Sequence, residues 1–159
     1  MPDTRPTTPA ALPTSQGIDP RSPRFGAAIT SVLLAVTLLL TLTRGTEAVG
    51  VALLAVLAVV FAWGGFAGIR RHPYGVLYRR FVRPRLGPPA ELEDPAPPTF
   101  AQRVGLVITA AGVVLALLGV PWAAAVAAAL ALVAALLNAV FDVCLGCLMY
   151  VWLVRARLT

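Results

Sequence analysis

Charge is scarce in this sequence, and lysine is missing from it altogether. Only 13% of the residues are charged, whereas 58% are hydrophobic and the mean hydropathy is +0.83. A soluble domain carries about 25% charged residues, so this composition argues against a soluble enzyme module and favours a chain that lies in lipid. All thirteen basic side chains are arginines that lie between apolar runs. We therefore attribute the net charge of +6 to membrane topology, and not to nucleic-acid binding.

Motifs for metal binding and hydrolytic catalysis are equally scarce. Two cysteines cannot build the disulfide framework of a small secreted domain. A zinc site on both cysteines would need two further ligands, with His72 the one histidine and Asp142 the nearest acid. There is no glycine-rich phosphate loop, no Ser/His/Asp set and no pair of catalytic carboxylates. We predict no metal and no cofactor, and we leave open whether the protein is an enzyme.

Four long apolar runs dominate the chain. They cover residues 25–43, 49–69, 101–120 and 122–141, and the fourth run extends to residue 154. A bilayer core about 30 Å thick needs roughly 20 helical residues, and the runs lack the alternation of barrel strands. The sequence therefore predicts an all-α fold, an integral membrane four-helix bundle made of two helical hairpins. Residues 1–24 are predicted to be a disordered tail, and residues 155–159 a short cytoplasmic tail.

The arginines alternate with these runs in a way that predicts topology. The N-terminal segment, the central loop and the C-terminus are rich in arginine. The first hairpin loop has only Arg44, balanced by Glu47, and the second hairpin turn has no charge. Positive charge is retained on the cytoplasmic side of a membrane. We expect a multi-pass protein of the inner (plasma) membrane with both termini in the cytoplasm.

Pairs of small residues predict close helix packing. Gly64 with Gly68 forms a GxxxG pair in the second run, and the third run has Gly105 with Thr109 and Gly112 with Ala116. Small residues let helix backbones approach each other in lipid. These pairs are interpreted as packing seams, either inside one chain or between the protomers of a homo-oligomer.

The central loop contains an amphipathic segment that predicts a short interfacial helix. Its apolar residues at helical spacing are Tyr74, Leu77, Tyr78 and Phe81. Its arginines at positions off that stripe or just after it are Arg79, Arg80, Arg83 and Arg85. We expect this helix to lie on the cytoplasmic membrane surface, with the four arginines in contact with anionic lipid headgroups or with a protein partner.

The fourth run is too long for one crossing. Residues 122–154 would make a helix about 50 Å long, at 1.5 Å per residue. A break near residues 138–142 would leave one full crossing before it, and Asp142 would then be the N-cap of a second short helix. The alternative is an unbroken helix, in which Asp142 and the cysteines point to different sides.

Cys144 and Cys147 form a C-x-x-C motif directly after this predicted break. In the broken-helix case Cys144 would lie in the first turn, where free backbone N–H groups and the helix dipole stabilise a thiolate. Cys144, Cys147 and Asp142 are therefore the candidate catalytic residues. Inert packing is the alternative, because cysteine is a common small apolar residue in buried helices.

A further set of motifs is spread along the chain: Asp19-Pro20-Arg21, Arg24-Phe25, His72-Pro73, residues 81–86, residues 88–94, Phe100-Ala101-Gln102, Val104-Gly105, Asn138 and Cys144-Leu145-Gly146-Cys147. This set resembles the motifs of an uncharacterised bacterial family of small membrane proteins, the domain of unknown function numbered four-three-nine-five. The resemblance implies a multi-span membrane domain and supplies no established activity. It leads us to expect a thioredoxin-like or rhodanese-like protein as a partner.

Three hypotheses for function follow. The first is a membrane protein whose C-x-x-C takes part in thiol redox chemistry or sulfur transfer. The second is a non-catalytic membrane subunit or anchor for a soluble partner. The third is a small transporter of an anionic or sulfur-containing solute. In all three, the lipid bilayer is the surrounding medium.

Overall fold

The computed structural model of the protein describes residues 17–158, so most of the predicted disordered tail lies outside the described residues. The helices are α1 (Arg21–Leu42), α2 (Glu47–Ala67), α3 (Pro73–Leu77), α4 (Ala96–Leu117), α5 (Ala123–Phe141) and α6 (Leu145–Leu158). A 3-10 turn (Ile69–Arg71) precedes α3, and a π turn (Tyr78–Val82) and a second 3-10 turn (Arg83–Arg85) follow it. Within residues 17–158 the one β-type pairing is an isolated bridge between Ile18 and Glu93.

Helices α1, α2, α4 and α5 form a four-helix bundle. Each packs on the next in the order α1, α2, α4, α5, and α5 packs back on α1. Neighbouring helices run antiparallel, as the contacts of α2 with α4 show: Gly64 faces Gln102, whereas Leu54 faces Gly112. All four are long and apolar enough to cross a membrane. The predicted all-α membrane bundle is confirmed, and the chain is a multi-pass membrane protein.

The bundle has a small interior and an apolar exterior. Leu34, Leu54 and Leu57 fill the centre together with the alanines of α5, of which Ala128 is fully buried. Because those alanines are short, α1 and α4 can approach α5 closely. Large apolar side chains such as Phe66 point outward and are well exposed. An apolar outer surface of this extent is suited to lipid and not to water.

The glycine seams are partly as predicted. Gly105 lies against the ring of Phe61, and Gly112 lies against Ala127, so that even one added methyl group at either position would clash. Gly64 is packed against Gln102. Gly68 does not belong to a seam, since it has φ +85° and open space around it. Its positive φ ends α2, and this backbone conformation favours glycine.

The two ends of the bundle differ in construction. One, which we call the short-turn end, consists of residues 43–46 and 118–122. There α4 ends in a Schellman motif: Gly119 has φ +81°, and the N–H groups of Gly119 and Val120 donate to the carbonyls of Ala116 and Leu115. The other, the arginine-rich end, holds residues 17–24, residues 68–103 and residues 141–158.

At the arginine-rich end, residues 17–24 correct the predicted extent of the disordered tail. Ile18 and Glu93 exchange both backbone hydrogen bonds at 2.9 Å, and α1 begins at Arg21. The sequence pattern underestimated this order because the segment has few apolar residues. Its hydrogen bonds to the central loop are contacts between residues far apart in sequence.

The fourth run is broken, and Asp142 does not have the predicted role at the break. Helix α5 ends at Phe141, and α6 begins at Leu145. Asp142 has φ +60° and is the C-terminal cap residue of α5, its N–H donating to the carbonyl of Leu137. Asp tolerates this left-handed conformation better than most residues do. The prediction that Asp142 is the N-cap of the following helix is wrong. The C-terminal segment predicted as a tail from residue 155 continues α6 to Leu158.

Candidate functional site

The two cysteines meet at the start of α6. Cys144 and Cys147 are joined as a disulfide, with their Cα atoms 5.2 Å apart, and both side chains are half-buried. Cys144 immediately precedes the helix, and its carbonyl accepts a hydrogen bond from the N–H of Leu148. Cys144 is therefore the N-cap residue of α6, the position that the sequence analysis assigned to Asp142.

The sulfur of Cys144 accepts a hydrogen bond from the backbone N–H of Cys147, at 3.3 Å. This is the contact that a Ser or Asp side chain makes at an N-cap. In the dithiol form the same N–H and the helix dipole would stabilise negative charge on the sulfur of Cys144. The geometry therefore distinguishes the two cysteines, since only Cys144 precedes the helix.

Helix α6 is seated on the first turns of α4. Gly146, between the two cysteines, is buried directly against the backbone of Ala101, where an added Cβ would lie 2.6 Å from the Cα of Ala101. One turn later the ring of Tyr150 lies 5.7 Å from the ring of Phe100. These two contacts fix the position of the disulfide relative to the bundle. The sequence analysis did not identify Gly146 as a packing residue, although a glycine between two cysteines in a helical run was the available signal.

Asp142 is an exposed link between two helices. Its carboxylate lies 3.5 Å from the guanidinium nitrogen Nε of Arg24, and both side chains are more than one-third exposed. The pair connects the end of α5 to the start of α1. Exposed ion pairs of this kind contribute little, about 0–1 kcal/mol.

A latch formed by Asp19, Arg21 and Tyr78, of which Asp19 and Tyr78 are buried, connects the N-terminal segment to the central loop. The Asp19 carboxylate accepts hydrogen bonds from Arg21 Nε at 3.0 Å and from the Tyr78 hydroxyl at 3.0 Å. Arg21 also donates to the carbonyl of Gly87 at 2.9 Å. Burial raises the pKa of Asp19, but the hydrogen bonds from Arg21 and Tyr78 outweigh it and lower that pKa overall. The sequence signal for this latch was the Asp19-Pro20-Arg21 motif before the first apolar run.

The central segment is helical, but its apolar stripe differs from the predicted one. Tyr78 is fully buried and packs on Phe25 with the rings tilted, at 5.7 Å between ring centres. Leu77 and Phe81, predicted to share its face, are exposed instead. For Phe81 the physical reason is the π turn (Tyr78–Val82), which widens the helix and rotates the residues after Tyr78 out of the α-helical register. Leu77 precedes this turn, at the end of α3.

Arg79, Arg80, Arg83 and Arg85 are all exposed on this central segment. Arg79 donates to the carbonyl of Arg70, and the guanidinium carbon of Arg80 lies 5.8 Å from the ring centre of Phe81. The segment packs on α1, whereas α6 packs on α4. The four arginines and the cysteine pair therefore share one end of the bundle but belong to separate packing units.

His72 has a structural contact in the fold. It is buried at the N-cap of α3, where its Nδ1 accepts a hydrogen bond from the N–H of Tyr74 at 3.3 Å. Burial lowers the pKa of His72, and the weaker opposing effect of the Val60 carbonyl does not reverse this. Within residues 17–158, no group of three His, Cys, Asp or Glu side chains is arranged to hold a metal ion.

Comparison with protein-family models gives a match over most of the chain. A family model described as "Domain of unknown function (DUF4395)" matches residues 18–155, and it confirms the resemblance stated from the sequence motifs. No curated protein and no solved structure matches the chain.

Proposed function

The chain belongs to the family described as domain of unknown function 4395, and we propose that Cys144 and Cys147 cycle between a dithiol and a disulfide at one face of the membrane. One observation carries the proposal: the two sulfurs are within bonding reach at a helix N-terminus, and Cys144 occupies the N-cap. Cysteines that only fill space in a helix would not have to lie at its N-cap.

The N-cap position supports Cys144 as the nucleophile. Its thiolate would accept the N–H of Cys147 and lie at the positive end of the α6 dipole. Cys147 lies one turn inside the helix and is then the resolving thiol, a division of roles common to C-x-x-C proteins. The half-buried state of both side chains leaves them open to a partner.

The exchange reaction balances without any resident cofactor. The Cys144 thiolate attacks a disulfide of a soluble partner, a mixed disulfide forms, and one partner thiolate leaves. Cys147, as thiolate, then attacks the sulfur of Cys144, so that the intramolecular disulfide closes and the second partner thiolate leaves. Two electrons pass to the partner, and the two protons lost by Cys144 and Cys147 end on its thiols. A thioredoxin-like protein is a partner of this class, and the reaction runs in either direction.

Sulfur transfer uses the same first step with a different electrophile. The Cys144 thiolate would attack the outer sulfur of a persulfide on a rhodanese-like donor. A persulfide forms on Cys144, and the donor leaves as a thiolate. One S–S bond forms and one breaks, and the outer sulfur keeps its oxidation state and its proton, so this step needs no oxidant.

Trapping distinguishes the two cysteines. In a Cys147→Ser variant the mixed disulfide cannot be resolved, so we expect a reducible covalent complex between Cys144 and the partner. The matched Cys144→Ser variant should give none, and both variants should insert normally. Equal trapping by the two variants, or a thiol state that does not change between oxidising and reducing growth, would rule out the proposal.

Asp142 remains a predicted proton relay as well as a cap residue. It is two residues from Cys144 and exposed. Asp142→Asn keeps a residue that tolerates a left-handed backbone but removes the acid. A relay predicts a slower exchange rate with an altered pH profile. A purely structural Asp142 predicts an unchanged rate.

The proposal places the arginine-rich end in the cytoplasm, where soluble thiol proteins would reach it. The support is that Arg44 is the one arginine in the two turns of the short-turn end, while the opposite end holds the arginines of the central segment. A green fluorescent protein fused after Thr159 should fluoresce, and an alkaline phosphatase fused there should be inactive. The reverse result would invert the topology.

A role as a membrane anchor is the second candidate, and it is favoured by the central segment. Four exposed arginines lie beside Phe81, which is 55% exposed, and beside the exposed Leu86. Apolar side chains next to guanidinium groups suit an anionic membrane surface or an acidic partner. Replacing Arg79, Arg80 and Arg83 by Gln should then release the partner, while Cys144→Ser leaves it bound. The transporter hypothesis stays a prediction.

A further inference from the structure

A cavity of about 740 Å³ opens at the arginine-rich end, between the end of α2, the start of α4 and the side of α6. Three arginines line it: Arg70, Arg71 and Arg103. No acidic side chain is among its described lining residues. The cavity is distinct from the surface of the central arginines Arg79–Arg85, because none of those four lines it.

Contacts within the protein orient one arginine of this cavity before any ligand binds. Arg103 donates through Nε to the carbonyl of Gly65 at 2.8 Å, and the close approach needs a glycine there, because a Cβ would lie 2.9 Å from the Arg103 side chain. The Thr99 hydroxyl accepts the N–H of Ile69 and so joins the turn carrying Arg70 and Arg71 to α4. A guanidinium held in this way loses less entropy on binding an anion than a free one.

The remaining wall of the cavity is apolar. Phe100 and Tyr150 lie against each other on one side, and Ala67 and Pro95 contribute to the others. An inorganic anion needs no such wall, whereas an anion with an organic substituent would bury part of it there. Guanidinium groups bind phosphate strongly, and basic pockets between membrane helices are known sites for anionic lipid headgroups.

We propose that this cavity binds a phosphate oxyanion, with Arg71 and Arg103 as its main charged ligands and the Phe100–Tyr150 pair against its substituent. The oxyanion has two sources with the same chemistry, an anionic phospholipid headgroup and a free phosphate compound. The site does not depend on the thiol proposal, because the cysteines do not line it. It nevertheless lies close to them, since Tyr150 follows Cys147 by one helical turn.

Binding to the full-length protein in detergent tests the site and distinguishes its sources. One arm titrates inorganic phosphate and follows tryptophan fluorescence or heat. The other arm measures retention of phosphatidylglycerol, against phosphatidylcholine, by native mass spectrometry. Saturable binding in the first arm assigns a free phosphate compound, and selective retention in the second assigns a lipid headgroup. Both outcomes support a phosphate oxyanion site.

Matched arginine variants locate the binding. Arg71 is exposed, so Arg71→Gln should leave the fold intact and weaken binding about tenfold. Arg103→Gln should have at least this effect. Arg44→Gln removes the same charge at the short-turn end and should leave the affinity unchanged. Failure of the wild-type protein to bind either probe, or equal affinity in Arg71→Gln and Arg44→Gln, overturns the proposal. The Cys144→Ser variant should bind the probes with unchanged affinity. The binding result therefore stands even if the thiol proposal is rejected.

Discussion

At the short-turn end, residues 43–46 and 118–122 connect their helices almost entirely through backbone hydrogen bonds and local side-chain caps. Thr46 donates to the carbonyl of Leu40, and Glu47 accepts the N–H of Gly45. At the arginine-rich end, by contrast, the stabilising contacts join residues far apart in sequence. Asp19 accepts a hydrogen bond from Tyr78, Ile18 pairs with Glu93 through the backbone, and Gly146 packs on Ala101.

This difference shows where the molecule can carry a function. Short local turns close a hairpin and leave little surface for a ligand or a partner. The long-range contacts of the other end build two cavities, of about 740 and 400 Å³, and fix the disulfide against α4. Functional residues usually lie on connecting segments held by a rigid scaffold, and here the bundle is that scaffold.

Both ends rest on a single, tightly packed bundle, and a larger side chain at Gly112 is expected to have the largest effect on its stability. Gly112→Val would force α4 away from Ala127 and should lower the free energy of unfolding by about 1–3 kcal/mol. The neighbouring Ala111 is exposed, so Ala111→Val is the matched control with little expected change. Thermal unfolding in detergent measures both. Equal stability of the two variants would mean that the helices are loosely associated.

The Asp19 latch predicts a smaller effect that is confined to the arginine-rich end. Asp19→Asn weakens charged hydrogen bonds to Arg21 and Tyr78 and should cost about 1–2 kcal/mol. Glu47→Gln makes the same change at the short-turn end, where the side chain is exposed, and should cost far less. Hydrogen exchange at the N–H groups of Ile18 and Glu93 is the measurement. Equal protection in both variants would contradict the latch.

Acid should release the latch in the same way. The folded-state pKa of Asp19 is lowered from its ordinary value of 3.8, so its contribution to stability is complete above about pH 4 and is lost as the pH falls through the lowered pKa.

His72 adds a second pH dependence of stability, at higher pH. Its folded-state pKa is below 6.5, so stability should begin to fall as the pH drops under that value. A His72→Gln variant should lose this first part of the pH dependence.

The smallest expected effects concern one left-handed residue at each end. Gly119→Ala at the short-turn end places a Cβ at φ +81° and should cost about 1 kcal/mol. Asp142→Gly at the other end relieves φ +60° and removes only an exposed ion pair, so the net change should lie near zero. Thermal unfolding of the two variants gives the comparison. A large loss in Asp142→Gly would show that the Arg24 contact matters more than its exposure implies.

The periodic features of the fold were predictable, since lipid requires long apolar helices and their runs are visible in sequence. The length of the fourth run allowed either a break or an unbroken helix, and the structure has the break. The role of Asp142 at this break was not predictable. An Asp at a helix boundary can cap either neighbour, and only the backbone conformation distinguishes a left-handed C-terminal cap from an N-cap.

Contacts between distant residues were the part that sequence could not give. The hydrogen bond from Tyr78 to Asp19 spans 59 positions, and no local pattern encodes it. The π turn at Tyr78–Val82 places Phe81 on a different side from Tyr78, although their spacing in the sequence fitted one face of an α-helix. The cavity lined by Arg71 and Arg103 likewise depends on how α2, α4 and α6 come together.

The contact between Gly146 and Ala101 has a mechanical consequence. Because Gly146 has no side chain, the first turn of α6, which bears the disulfide, lies directly on Ala101 and cannot shift along α4 without losing this contact. Ala101 lies between Phe100, which lines the cavity, and Gln102, which packs on α2. A tilt of the first part of α4 would therefore also move the start of α6 and its two sulfur atoms.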